Sequence, residues 1–243
     1  MGERLWEERL EQPELAVVSQ AFSELGQLYD IDPVTFGPYQ DEIIDLYSAP
    51  WRVHHDVSHL SYLIDFTNAY QDRTDLLPRV FSDDPTTINK GLVLWMIMYH
   101  DAIQDTHTPQ GEDEQLSADV AKHRLTELRL PKDHIREIAL GILASTEHRF
   151  VISQNIAFFL DADVAILGAA PDRYDQYAQA IRKEYEWVPE ERYRHARANV
   201  LHSFLDTQKR PTIFLTDFGQ KLFEEPARQN IQRELASLEV ESP

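Results

Sequence analysis

The sequence predicts an all-α protein, a single-domain helical bundle. Apolar residues recur at intervals of three and four along most of the chain. Proline-bearing breaks separate these stretches, and only eight glycines occur in 243 residues. No internal repeat, low-complexity tract or linker long enough to divide domains interrupts the pattern, so one domain over residues 1–243 is expected.

The first stripe, Leu15, Val18, Phe22, Leu25 and Leu28, is one face of an amphipathic helix. Pro33 to Tyr47 repeats the pattern, and Val53 to Tyr70 does so through Val57, Leu60, Leu63, Ile64 and Phe66. Asp84-Pro85 supplies an N-cap and a first-turn proline for a helix whose middle is the apolar run Gly91 to Tyr99. That run is about half the length a bilayer needs and reads as a buried helix. A polar stretch follows from Gln104 to Asp113, broken by Pro109 and Gly111. Further helices are expected over 114–129, 132–148, 153–168, 172–187, 190–208 and 217–238, with Pro131, Pro171 and Pro189 near three of the starts. Only Phe150–Ser153 and Thr212–Leu215 have strand character.

Charge and cysteine usage narrow the function. Acidic side chains outnumber basic ones 42 to 23, for a net charge of −19. Long contacts with nucleic-acid backbone or an anionic membrane need clustered Lys and Arg, so neither partner is expected. Cysteine is absent, which removes thiolate nucleophiles, cysteine-ligated zinc and iron–sulfur clusters together. The N-terminus has no apolar targeting core, and a cytoplasmic protein is expected.

Four places carry chemistry. In Arg52-Val-His54-His55-Asp56-Val-Ser-His59, a helical reading puts His55 and His59 on one face, where both reach one cation or divide it with a substrate. His100-Asp101 closes the buried apolar run, and a carboxylate there needs a cation or strong donors. Asp105 lies one turn on, placed to move a proton, with Glu114 and Ser117 beyond the polar loop. In Leu160-Asp161-Ala-Asp163 two acids interrupt an apolar stretch, and His148 ends Ser145-Thr146-Glu147-His148. Each also has an ordinary reading: exposed polar residues, or a histidine at a helix C-terminus.

In this order the motifs resemble the HD-domain superfamily of metal-dependent phosphohydrolases, and one branch of predicted phosphohydrolases of about this length. The matching residues are Arg52, His55 and His59; His100-Asp101; Glu114 with Ser117-Ala118; and Thr146 with His148. Asp161-Ala-Asp163, Tyr177 to Tyr185 and Ala227-Arg228-Gln-Asn230 continue the series. The likeness covers about residues 50–237, with the N-terminal helices of residues 1–49 packed on that core. It implies His55, His100, Asp101 and Asp163 as metal ligands, Asp163 being preferred to Asp161. For hydrolysis at such a site, Asp105, Glu114 and Arg52 are expected in catalysis, and His59, His148 and Arg182 against substrate, with Arg149 another phosphate-holding cation. Three positions depart from the branch pattern: His54 stands for Tyr, Asp113 for Asn and Val164 for Leu.

The implied activity is hydrolysis of a phosphoester on a small molecule, such as a nucleotide, by metal-activated water. The cofactor is one divalent ion, Mn, Fe, Co, Ni, Zn or Mg, with room for a second. Alternatives are an HD-type di-iron oxygenase and a non-catalytic module binding metal or nucleotide. Pairing of copies through the C-terminal helices is left open.

Overall fold

The computed structural model describes residues 13–71, 88–148, 151 and 153–240. Asp84-Pro85 and Arg149 lie outside the described residues, as do Phe150 and Ile152 of Phe150–Ser153. The fold is all-α, and among the described residues no strand forms and no helix is long and apolar enough to cross a membrane. The helices are α1 (Pro13–Leu28), α2 (Pro33–Tyr47), α3 (Val57–Gln71), α4 (Lys90–Tyr99) and α5 (Glu112–Glu127). Then follow α6 (Lys132–Ala144), α7 (Gln154–Val164), α8 (Pro171–Glu184), α9 (Glu190–Leu205) and α10 (Asp217–Val240). The contacts group the chain into two compact units, residues 1–159 and 160–243, with the boundary inside α7.

In the first unit α4 is the core. All ten of its residues are buried, including Lys90, whose ammonium is paired with Glu24 at 2.7 Å. Its N-terminus is fixed by Asn89, whose side chain accepts from Leu92 N–H, while the Asn89 amide donates to Asn155 Oδ1 at 2.6 Å. Helix α6 packs against α4, and Gly141 is where they meet: a Cβ there would stand 2.6 Å from Met96 Sδ. Helix α1 packs on α3, and α5 forms an antiparallel hairpin with α6. That hairpin turns at Arg129, which takes φ +60° and lets Leu130 N–H reach Leu125 O, so α5 ends two residues before the expected boundary.

Helix α3 starts later than its apolar pattern suggests. Asp56 acts as N-cap: its Oδ1 accepts from the Ser58 amide at 2.8 Å and the Ser58 hydroxyl at 2.6 Å. Residues 53–56 therefore form bends rather than the first helical turn.

In the second unit, α10 packs on the 3₁₀ turn Ala165–Gly168 that follows α7. Asn230 Nδ2 donates to Leu167 O and Ala169 O at 2.9 and 2.8 Å, and Gly168 sits where a Cβ would be 2.7 Å from Phe223 Cβ. Arg197 forks onto Glu234 at 2.8 and 3.1 Å, and Tyr174 Oη donates to the same carboxylate. Thr212–Leu215 is not a strand. Its amides are taken by carboxylates instead: Ile213 and Phe214 donate to Glu224, and Leu215 to Asp161.

Candidate metal centre

Where α4 ends, the last carbonyls of the helix have no helical partner. One of them, Ile97 O, lies 2.9 Å from Nδ1 of the buried His100. A carbonyl only accepts, so the proton sits on Nδ1 and the Nε2 lone pair faces away from the backbone. It faces His59 Nε2 at 3.2 Å. His59 lies in the first turn of α3, 4% exposed, and both histidines belong to a group of side chains that could hold a metal ion.

Asp101 closes the triangle. Its Oδ2 is 3.2 Å from His100 Nε2 and 4.0 Å from His59 Nε2. The point equidistant from these three atoms lies inside the triangle, about 2 Å from each. Zinc holds imidazole nitrogen and carboxylate oxygen at about 2.0–2.2 Å. The three atoms are therefore spaced as ligands of one divalent ion would be. Adjacent residues diverge by about 100° within an α-helix. His100 and Asp101 converge because the helix has ended: His100 is its cap and Asp101 lies in the following turn.

The histidines before α3 surround this triangle. The His54 ring is 4.8 Å from both the His55 and the His59 rings, and His55 is 5.7 Å from His59, all between centroids. The helical face expected to join His55 to His59 does not exist, because Asp56 caps the helix between them; a bend brings their rings together instead. His59, expected against substrate, is the imidazole that meets His100.

The support beneath the triangle comes from the end of α2. The Tyr47 hydroxyl accepts the Asp101 amide proton at 3.1 Å, and its buried ring lies 6.4 Å from that of His100. Burial pushes the Tyr47 pKa up to about 12, so the hydroxyl stays neutral. Arg52, 7% exposed, lies over Tyr47 and donates to His55 O at 3.0 Å and Ala102 O at 3.1 Å. Both terminal nitrogens of Arg52, expected in catalysis, hold main chain. The same applies to Arg182 in the second unit, which donates to Tyr185 O, Val188 O and Glu190 and lies over Tyr193.

The remaining expected residues are distributed as follows. Glu114, in the first turn of α5, is half-buried; burial raises its pKa, and Asp101 and Asp113 add to the rise while His148 opposes it. His148, at φ +49°, ends the turn after α6. Asp105 is exposed, and its carboxylate is held below the usual range by the amide and ring of His107, each at 2.9 Å. The Asp105 amide donates to Asp113 Oδ2, and Ser117 fastens Ile103 by accepting its N–H and donating to its O.

Asp161 and Asp163 separate. Asp161 is fully buried and accepts from Leu215 N at 2.6 Å, Thr216 N at 2.9 Å and Thr216 Oγ1 at 2.6 Å. Its oxygens are spent on holding the loop before α10. Asp163 is half-buried in the last turn of α7. Tyr47 had no place in the sequence reading. Its only signal is position, at the last turn of an amphipathic helix five residues before Arg52.

Comparison with protein-family models, with curated proteins and with solved structures finds no match.

Proposed function

We propose that this protein is a metal-dependent phosphohydrolase acting on a phosphoester of a small molecule, such as a nucleotide. The observation that carries the reading is the His59–His100–Asp101 triangle, with a common point about 2 Å from all three ligand atoms. The resemblance to HD-domain phosphohydrolases adds Asp163 and His55 as further ligands.

A bound divalent ion supplies a Lewis acid that lowers the pKa of a water and withdraws charge from a phosphoryl oxygen. The chain's own residues supply the rest. His100 presents a fixed Nε2 lone pair because Ile97 O holds its other nitrogen. Glu114, raised by burial, keeps its proton to a higher pH than an exposed glutamate and suits delivery to a leaving group. Asp105 stays ionised and steadies the loop through His107. With the terminal nitrogens of Arg52 and Arg182 committed to carbonyls, the half-buried His54 and His148 are left to meet the phosphate oxygens. A substrate of low charge fits a chain carrying −19, whose overall field opposes polyanions.

Metal analysis of untreated protein, then turnover of a phosphoester panel with Mn, Co, Ni and Mg, tests the reading. Asp101→Asn should lose turnover at least about a hundredfold. Equal turnover in the variant refutes it.

A further inference from the structure

We infer that Arg52 and Tyr47 are positioning residues that set the geometry of the metal centre from beneath. The inference rests on the metal-centre reading above and assigns these two side chains a role in it. The atoms of the triangle and the imidazoles around it come from two segments far apart in the sequence: the bend and first turn of α3, carrying His54, His55 and His59, and the turn after α4, carrying His100 and Asp101. Arg52 spans both. One terminal nitrogen donates to His55 O and the other to Ala102 O, so a single planar group fixes the separation of the two carbonyls. Tyr47 adds a third point by accepting the Asp101 amide proton, and its ring carries the guanidinium 4.8 Å above it. Tyr47 ends α2 and Arg52 follows five residues later, so the site rests on two buried side chains of one short segment. A lysine at 52 has one point charge and cannot hold two carbonyls in register. A phenylalanine at 47 keeps the ring and loses only the acceptor.

The test uses the full chain, freed of metal by chelation and titrated with Co²⁺, whose visible absorption reports coordination geometry. Urea midpoints are taken in the absence of metal. Arg52→Lys and Tyr47→Phe should each bind Co²⁺ about 10–100-fold more weakly, the range seen when partners of metal ligands are removed. Their Co²⁺ bands should also shift or change in intensity while the proteins are still folded. Affinity and bands equal to wild type in the folded variants, whatever happens to the midpoints, overturn the positioning role. Failure of the wild-type chain to bind Co²⁺ instead overturns the metal-centre reading itself.

Discussion

Replacing Asp161 with Asn should change how the stability of this protein responds to pH. The Asp161 carboxyl is buried, and burial pushes its pKa up to about 6 even though two amides and a hydroxyl donate to it. Nearby Glu224 adds to the rise. In the unfolded chain the group returns to about its ordinary value of 3.8. Because the folded value is the higher one, the unfolded state releases its proton first as pH rises. The stabilising contribution is therefore complete below about pH 4 and lost as pH rises through about 6. The difference between the two values corresponds to about 3 kcal/mol in all, of which about 2 kcal/mol falls between about pH 4.5 and about pH 7.5. Asn does not titrate, so the stability gap between wild type and Asp161→Asn should shrink by that amount across the window, whatever its size at one pH. Urea unfolding of both proteins at several pH values reads the gap directly. Metal content should be the same in the two, since Asp161 serves the loop before α10. A gap that stays flat from about pH 4.5 to about pH 7.5 refutes the burial argument. A loss of metal with no change in stability assigns Asp161 to the metal instead.

Three further outcomes are expected. Saturating metal at about a hundred times its dissociation constant should stabilise the wild-type chain by about 2.7 kcal/mol, or about 5–10 °C in Tm for this length; His100→Ala should erase that rise, and an undiminished shift in the variant would remove His100 from the site. Gly219→Ala should cost about 1–3 kcal/mol, because the added Cβ would meet Asp161 Oδ2 and stand 2.9 Å from Phe214 Cβ; a melting curve superimposable on wild type contradicts it. Glu114→Gln should remove the fall in turnover that accompanies loss of the Glu114 proton as pH rises, so a pH–rate profile of unchanged shape assigns that limb to another group.

The helices were legible because their signals are local. Apolar spacing, with Pro171 and Pro189 near helix starts, places most elements within a few residues. The misplaced boundary before α3 has a local cause too: the apolar pattern runs through Val53, but Asp56 followed by Ser58 is a better cap than a continued turn. Thr212–Leu215 resembles a strand because its side chains suit one, and only tertiary structure reveals that Glu224 and Asp161 take its amides. The chemistry was legible at the level of residue type. His100-Asp101 stood out because a carboxylate beside a buried run must be compensated. What the sequence could not convey is which imidazole meets it, since that depends on where α3 begins. Nor could it convey that the terminal nitrogens of Arg52 and of Arg182 are taken by main-chain carbonyls, for which no sequence signal exists.

The end of α4 joins these levels. A helix C-terminus leaves carbonyls without partners, and a buried one must find donors or pay several kcal/mol in lost hydrogen bonding. Here His100 Nδ1 takes Ile97 O, which completes the helix and at the same time selects the tautomer that exposes Nε2 to His59 and Asp101. Because every residue of α4 is buried, that nitrogen is held by the most constrained element of its unit. The two sides of the triangle that meet at His100 Nε2 are equal at 3.2 Å, so the fixed atom is the hinge of the site. Shifts of His59 or Asp101 then change the sides of the triangle and move the equidistant point without displacing His100. Changes at Tyr47 and Arg52 act on the segments that carry His55 and Asp101. They should therefore retune metal binding, whereas a change at His100 should abolish it.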